Sequence, residues 1–216
     1  MLQKPIVDIV KMHFWDKLYP LNRVASISDV QRTHKETYLL SGYTRDPNTW
    51  IAEIDKKGKI LWEKYFPNNT NQQSKVLALD TGYILSYKRR NSSETLYMNA
   101  QREVKYTLPY YFKSMVAMPK GFVGVQKHTI FAINTKGKIV WKQVFDDNFE
   151  QIVVLKEGNL MAIAIQDRNK LILTKLTPDG DIVWQKSMHK SRLYAIEDAV
   201  ATKDGGFILN ARKKIS

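Results

Sequence analysis

Apolar and polar residues alternate in short runs along most of the chain, and the alternation breaks at recurring places. Ile130 to Phe145 reads IFAINTKGKIVWKQVF. Two alternating segments flank Thr135-Lys136-Gly137, and the second lands on Trp141. Period-two alternation on both sides of a glycine-containing break predicts two short antiparallel strands joined by a tight turn. Trp50 to Phe66 (WIAEIDKKGKILWEKYF) and Leu171 to Lys186 (LILTKLTPDGDIVWQK) repeat the pattern. A degenerate copy, YMNAQREVKY, ends at Tyr106, and WDKLYPLN from Trp15 echoes WEKYFPNN from Trp62.

The aromatic that closes each copy serves as a phase mark: Trp15, Trp62, Tyr106, Trp141 and Trp184. The spacings are 47, 44, 35 and 43 residues, and four of the five tryptophans fall on the mark. A period of about 40–45 residues with several strands per unit predicts a β-propeller with one four-stranded blade per repeat. In the second copy the strands are Val24–Gln31 (A), Thr37–Thr44 (B), Thr49–Asp55 (C) and Lys59–Phe66 (D). Further A–B pairs are Lys75–Leu79 with Tyr83–Tyr87, Ser114–Met118 with Phe122–Gln126, and Gln151–Leu155 with Asn159–Ile165. Glycine in the connecting turns supplies the positive φ that two-residue hairpin turns demand. No stretch has helical periodicity, so the expected fold is all-β.

The last copy supplies only an A strand (Ala195–Thr202) and a B strand (Gly206–Lys213). The first supplies only C (Pro5–Val10) and D (Met12–Tyr19). Joined, they make one blade, and such closure removes the sheet edges that invite aggregation. The expectation is a single-domain, five-bladed, antiparallel β-propeller closed by pairing N-terminal with C-terminal strands. Its blades are residues 193–216 with 1–19, 20–66, 67–109, 110–145 and 146–188.

Thr202-Lys203-Asp204-Gly205-Gly206-Phe207-Ile208-Leu209 and Lys175-Leu176-Thr177-Pro178-Asp179-Gly180 running to Trp184 resemble the repeats of bacterial propeller proteins of unassigned function. Ala132-Ile133-Asn134-Thr135-Lys136-Gly137 running to Trp141 is similar to the tryptophan-docking repeat of quinoprotein propellers and of the related outer-membrane assembly lipoprotein. The resemblance covers essentially the whole chain and implies a fold. It implies no function, because the repeated residues are turn formers and packing tryptophans. Quinoproteins of that group use a larger ring and a dedicated cofactor site, and no cofactor residues carry over to this chain.

The 216 residues suffice for one well-buried core. No apolar run approaches the ~20 residues of a membrane helix. The first residues hold Asp8 and Lys11 within their apolar part and offer no small-residue cleavage site. The chain as it stands is therefore expected in the cytoplasm, and in the periplasm if a leader was trimmed from it. It has no cysteine, which removes disulfides, thiolate metal sites and cysteine nucleophiles. His13, His34, His128 and His189 fall in four different blades without metal-ligand spacing, so neither a metal nor a cofactor is expected.

Lys and Arg total 34 against 21 Asp and Glu, a net charge of +13 that favours anionic partners. In a propeller, D→A loops and B→C turns share one face, and A→B and C→D turns share the other. Arg23 and Arg192 fall in D→A loops, and Arg45, Arg89, Arg90, Arg168 and Arg212 at or beside B→C turns. The opposite face receives Arg32 and Arg102 and many lysines, among them Lys120, Lys136 and Lys138. Arginine offers a planar, bidentate donor fork, whereas lysine is a hydrated point charge. The arginine face also holds Tyr110, Tyr111, Phe112, Lys127, His128 and the polar run Asn68 to Gln73.

These residues predict a binding or scaffold module with no catalytic residues, acting as a monomeric ring. Its candidate binding residues are Arg23, Arg45, Arg89, Arg90, Tyr110, Tyr111, Lys127, His128, Arg168, Arg192 and Arg212. The expected partner is an acidic protein surface, ahead of an anionic glycan or nucleic acid. The rival is a glycosidase-type enzyme using axial carboxylates drawn from Asp29, Glu150, Glu197 and Asp198.

Overall fold

A computed structural model describes residues 24–46, 48–68, 72–167, 169–189 and 193–213. They form eighteen strands and no helix. The first sheet contains β1 (Val24–Arg32), β2 (Tyr38–Thr44), β3 (Asn48–Ile54) and β4 (Ile60–Pro67). The second contains β5 (Ser74–Leu79), β6 (Gly82–Lys88), β7 (Ser93–Asn99) and β8 (Val104–Leu108). The third contains β9 (Ser114–Met118), β10 (Gly121–Gln126), β11 (Thr129–Asn134) and β12 (Ile139–Val144). The fourth contains β13 (Phe149–Val154), β14 (Leu160–Gln166), β15 (Lys170–Leu176) and β16 (Ile182–His189). Each is a four-stranded antiparallel meander in chain order. A two-stranded sheet follows, β17 (Leu193–Ala201) and β18 (Phe207–Lys213). The strands expected at 5–10 and 12–19, with Trp15 and His13, lie outside the described residues.

Alternation does what the pattern required. In β4 the burial alternates, leaving Trp62 at 8% exposure and Leu61 at 50%. The central strands of the second, third and fourth sheets bury both faces, because each of these sheets has a neighbour on either side. The four C→D turns close with the same bond, a backbone N–H donating three residues back: Gly58 to Asp55, Arg102 to Asn99, Gly137 to Asn134 and Gly180 to Thr177. All four donors have positive φ, at 75°, 67°, 78° and 93°. Glycine adopts that region freely, and the degenerate copy holds it with Arg102.

The innermost strands are tied to one another by side chains. Val76 N–H donates to Asp29 Oδ2 at 2.9 Å, and Lys75 Nζ lies 3.5 Å from Asp29 Oδ1. Ile152 N–H donates to Ser114 Oγ at 3.2 Å, and Gln151 Nε2 to the Glu197 carbonyl at 3.0 Å. Each bond links one sheet to the next. Residues of β1, β5, β9, β13 and β17 together line a single cavity of about 370 Å³.

The phase-marking aromatics pack sheet against sheet, as the repeat predicted. Trp62 meets Tyr83 of the second sheet edge-on at 5.0 Å. Tyr106 stacks on Tyr97 at 5.1 Å and donates its hydroxyl to the Asn134 carbonyl of the third sheet at 3.3 Å. Trp141 donates Nε1–H to the Pro178 carbonyl of the fourth at 3.1 Å. A Cβ on Gly137 would stand 2.8 Å from the Tyr106 ring, and one on Gly180 2.7 Å from the Trp141 ring. Glycine at these turns therefore serves the neighbouring blade as well as its own backbone.

Candidate functional site

Hydrogen bonds from buried hydroxyls fix the D→A loop between the second and third sheets. Thr95 Oγ1–H donates to the Tyr110 carbonyl at 2.8 Å, and Phe112 N–H to Ser86 Oγ at 2.8 Å. Phe112 is fully buried over Gly124, where a Cβ would approach its ring to 2.6 Å. Tyr110 is half-buried, 4.9 Å from the Phe131 ring and 5.9 Å from Phe112. It is a packing residue with one accessible flank. Tyr111 is also half-buried, with Lys88 Nζ 4.7 Å above its ring. Burial first, and the nearby Asp29 charge second, push the Tyr111 hydroxyl up to about 12.

The arginines separate into two groups. Arg89 is held 3.1 Å from Glu94 Oε2 and 3.3 Å from the Tyr87 hydroxyl, with its guanidinium 5.8 Å over the Tyr87 ring. Tyr87 is fully buried and donates to Glu94 at 2.7 Å. Arg212 forms an ion pair with Glu197. By contrast, Arg45, Arg90 and Lys127 are exposed and make no ion pair among the described residues. They occupy the B→C turns of three successive sheets. His128 is exposed beside Asp147. Arg23, Arg168 and Arg192, with Asn69, Thr70 and Asn71 of the polar run, lie outside the described residues.

Of the four candidate axial carboxylates, Asp29 and Asp198 line the axial cavity. Glu150 is paired with Lys113 and Glu197 with Arg212. Burial raises the Asp29 carboxyl above its ordinary range, outweighing Lys75 and the Val76 amide that pull it down. Sequence reasoning passed over a second carboxylate. Glu53, only 5% exposed, accepts Trp62 Nε1–H at 2.6 Å, the Tyr83 hydroxyl at 2.8 Å and the Thr37 hydroxyl. Burial alone would raise its pKa, but the three hydrogen bonds together hold it below the ordinary carboxylate value. The available signal was its place directly opposite Trp62 across the C–D pair.

No family model and no curated protein matches this chain. Many solved structures resemble it. A catalytically inactive virginiamycin B lyase from Staphylococcus aureus with quinupristin superposes with a TM-score of 0.63 at 15% identity, over 89% of this chain and 64% of that one. BBS1N in complex with ARL6DN gives 0.62 at 11% identity, over 92% and 66%. BamB from Moraxella catarrhalis gives 0.53 at 12% identity, over 92% and 59%. At these identities the likeness is one of fold: the chain is a β-propeller repeat protein. It spans 59–66% of the length of these three structures.

Proposed function

We propose that the chain is a non-catalytic binding module that recognises an anionic partner, first an acidic protein surface, through the rim of its B→C turns and D→A loops. One observation carries this reading. Arg45, Arg90 and Lys127 stand exposed at three successive turns without a carboxylate partner among the described residues, while Arg89 and Arg212 on the same rim are already engaged. Exposed cations with no internal partner are free to pair with another molecule, and Tyr111 under Lys88 adds an aromatic beside them. Arg23, Arg168 and Arg192 belong to the same proposed rim. BBS1N with ARL6DN is a precedent for a propeller engaging a protein. In the test, wild type and an Arg45→Glu/Arg90→Glu/Lys127→Glu variant are compared in partner capture read by mass spectrometry. Acidic proteins should be lost from the variant, and identical partner lists would end the proposal. A nucleic-acid partner would instead appear as affinity falling steeply with salt.

The ring is proposed to have five blades, closed by residues 5–19 pairing with β17 and β18. Ile27 and Val30 at one end of the described array, and Val200 and Ile208 at the other, are each at least 50% exposed. Apolar surface of this kind is what a completed blade would cover.

A second reading, hydrolysis of a glycoside, is favoured by Asp29 and Asp198 both lining the axial cavity. Paired carboxylates 5–10 Å apart are its chemical requirement. Turnover of chromogenic aryl glycosides, abolished by Asp29→Asn, would support it over the binding reading.

A further inference from the structure

The junction between the third and fourth blades contains a groove of about 400 Å³ whose walls are largely apolar. Met118, Val123, Ala132, Val140, Trp141 and Pro178 line it. The equivalent space between the first and second blades, bordered by Glu53 and Tyr83, measures about 10 Å³. Two positions account for the difference. The residue paired across the C–D ladder with the docking aromatic is Glu53 in the first blade and Tyr97 in the second, but Ala132 in the third. On the facing blade, the B-strand residue that fills the junction is Tyr83, then Phe122, then Leu160. Both contributors shrink at the same junction, and the hollow is what their missing volume leaves.

The groove opens on the rim opposite the arginines, and its surroundings select a chemistry. Val140, at 65% exposure, carries the apolar lining out past the mouth. Lys120 stands at one wall, and Lys136 and Lys138 lie on the adjoining C→D turn, whose Thr135 N–H donates to the Lys120 carbonyl. All three are exposed and none makes an ion pair among the described residues. Asp179 lines the opposite wall. Among the described residues β12 is the outer strand of its sheet and pairs with β11 alone, so one edge presents backbone donors and acceptors. An apolar slot, a lysine-rich wall and an open strand edge together match an extended chain better than a compact solute.

We propose that this groove docks an extended peptide segment of another protein. One large apolar side chain enters beside Trp141, and flanking Asp or Glu residues face Lys120 and Lys138. The cavity is large enough for such an anchor and falls within the ordinary range of ligand sites, roughly 300–1,000 Å³. This site is separate from the arginine rim and stands or falls independently of it.

The test is selection from a displayed library of random dodecapeptides against the full chain, followed by fluorescence anisotropy of a labelled selected peptide. Selected sequences should converge on an apolar anchor flanked by acidic residues. Their affinity should fall at least tenfold with Ala132→Tyr, which copies the residue of the preceding blade, and with Lys120→Glu/Lys138→Glu. Val140→Asp, at a solvent-exposed position that cannot unfold the blade, should weaken binding to a similar degree. The Arg45→Glu/Arg90→Glu/Lys127→Glu variant should bind the same peptide as wild type does. Absence of enrichment, basic flanks, or peptides indifferent to Ala132→Tyr and Val140→Asp would overturn the proposal. So would a dimer in sedimentation velocity that Val140→Asp dissociates, since the occupant would then be a second copy of this chain.

Discussion

Between the first and second blades, Glu53 and Trp62 face one another across β3 and β4, and Tyr83 closes the space beyond them. Between the third and fourth, the corresponding residues are Ala132, Trp141 and Leu160. The first junction is filled by a polar cluster in which one carboxylate satisfies three donors. The Tyr83 hydroxyl is pushed up to about 12, chiefly by burial and then by its bond to Glu53. The second junction is left hollow, and its tryptophan finds its partner in a turn carbonyl of the next blade. A docking aromatic in a repeated position therefore fixes where blades touch but not how completely they fill. The neighbours of that aromatic decide whether the junction is a joint or a pocket.

The sharpest way to break this contrast is Glu53→Ala. It removes the acceptor of three largely buried donors, and the unfolding free energy should fall by about 3–5 kcal/mol in urea titration. Ala132→Gly in the hollow junction should cost under about 1.5 kcal/mol. Equal losses would mean that the polar cluster contributes nothing special.

The same cluster has a pH signature. A carboxyl whose folded pKa is depressed stabilises the fold above its unfolded value, and that stability disappears as pH falls through the folded pKa. The advantage of wild type over Glu53→Gln should be full above pH 4.5 and shrink progressively below it. Thermal melts across that range give the check, and a gap that widened on acidification would contradict it.

Gly180→Ala sharpens the geometry of the hollow junction. The new Cβ would lie 2.7 Å from the Trp141 ring, at φ +93°. A loss of roughly 2–3 kcal/mol is expected, with Trp141 fluorescence altered as the ring moves. Ala132→Leu should have the smallest effect, and of opposite sign. Filling part of the groove should raise the unfolding free energy by about 1 kcal/mol in the same titration.

Much of the fold was legible because it is written locally. Alternation determines which side of a strand is buried, and a turn glycine determines where the chain reverses. The first strand, expected at Val24–Gln31, is observed at Val24–Arg32. Even the degenerate copy kept its register, with Arg102 adopting the positive φ of the missing glycine and lying 5.3 Å from the Trp62 ring. The candidate rim was legible only as a set of cations at turns. That Arg89 is captured by Glu94 while Arg90 has no ion-pair partner among the described residues depends on which side of the turn each residue emerges, a one-residue difference in a loop. The hollow junction was harder still. Ala132 reads as an ordinary apolar position of an alternating strand, and its smallness acquires meaning only beside Glu53 and Tyr97 in the same column of the repeat.

The sequence by itself determined the all-β class, the repeat register, the four-stranded blade and the tryptophans' packing role. Each of these follows from near-neighbour patterning that recurs every forty-odd residues. Tertiary structure alone decided which cations on the rim are already partnered, which carboxylates reach the axis, and which blade junction is filled. Those outcomes depend on residues some forty positions apart meeting across an interface, and on the volume left when two of them are small.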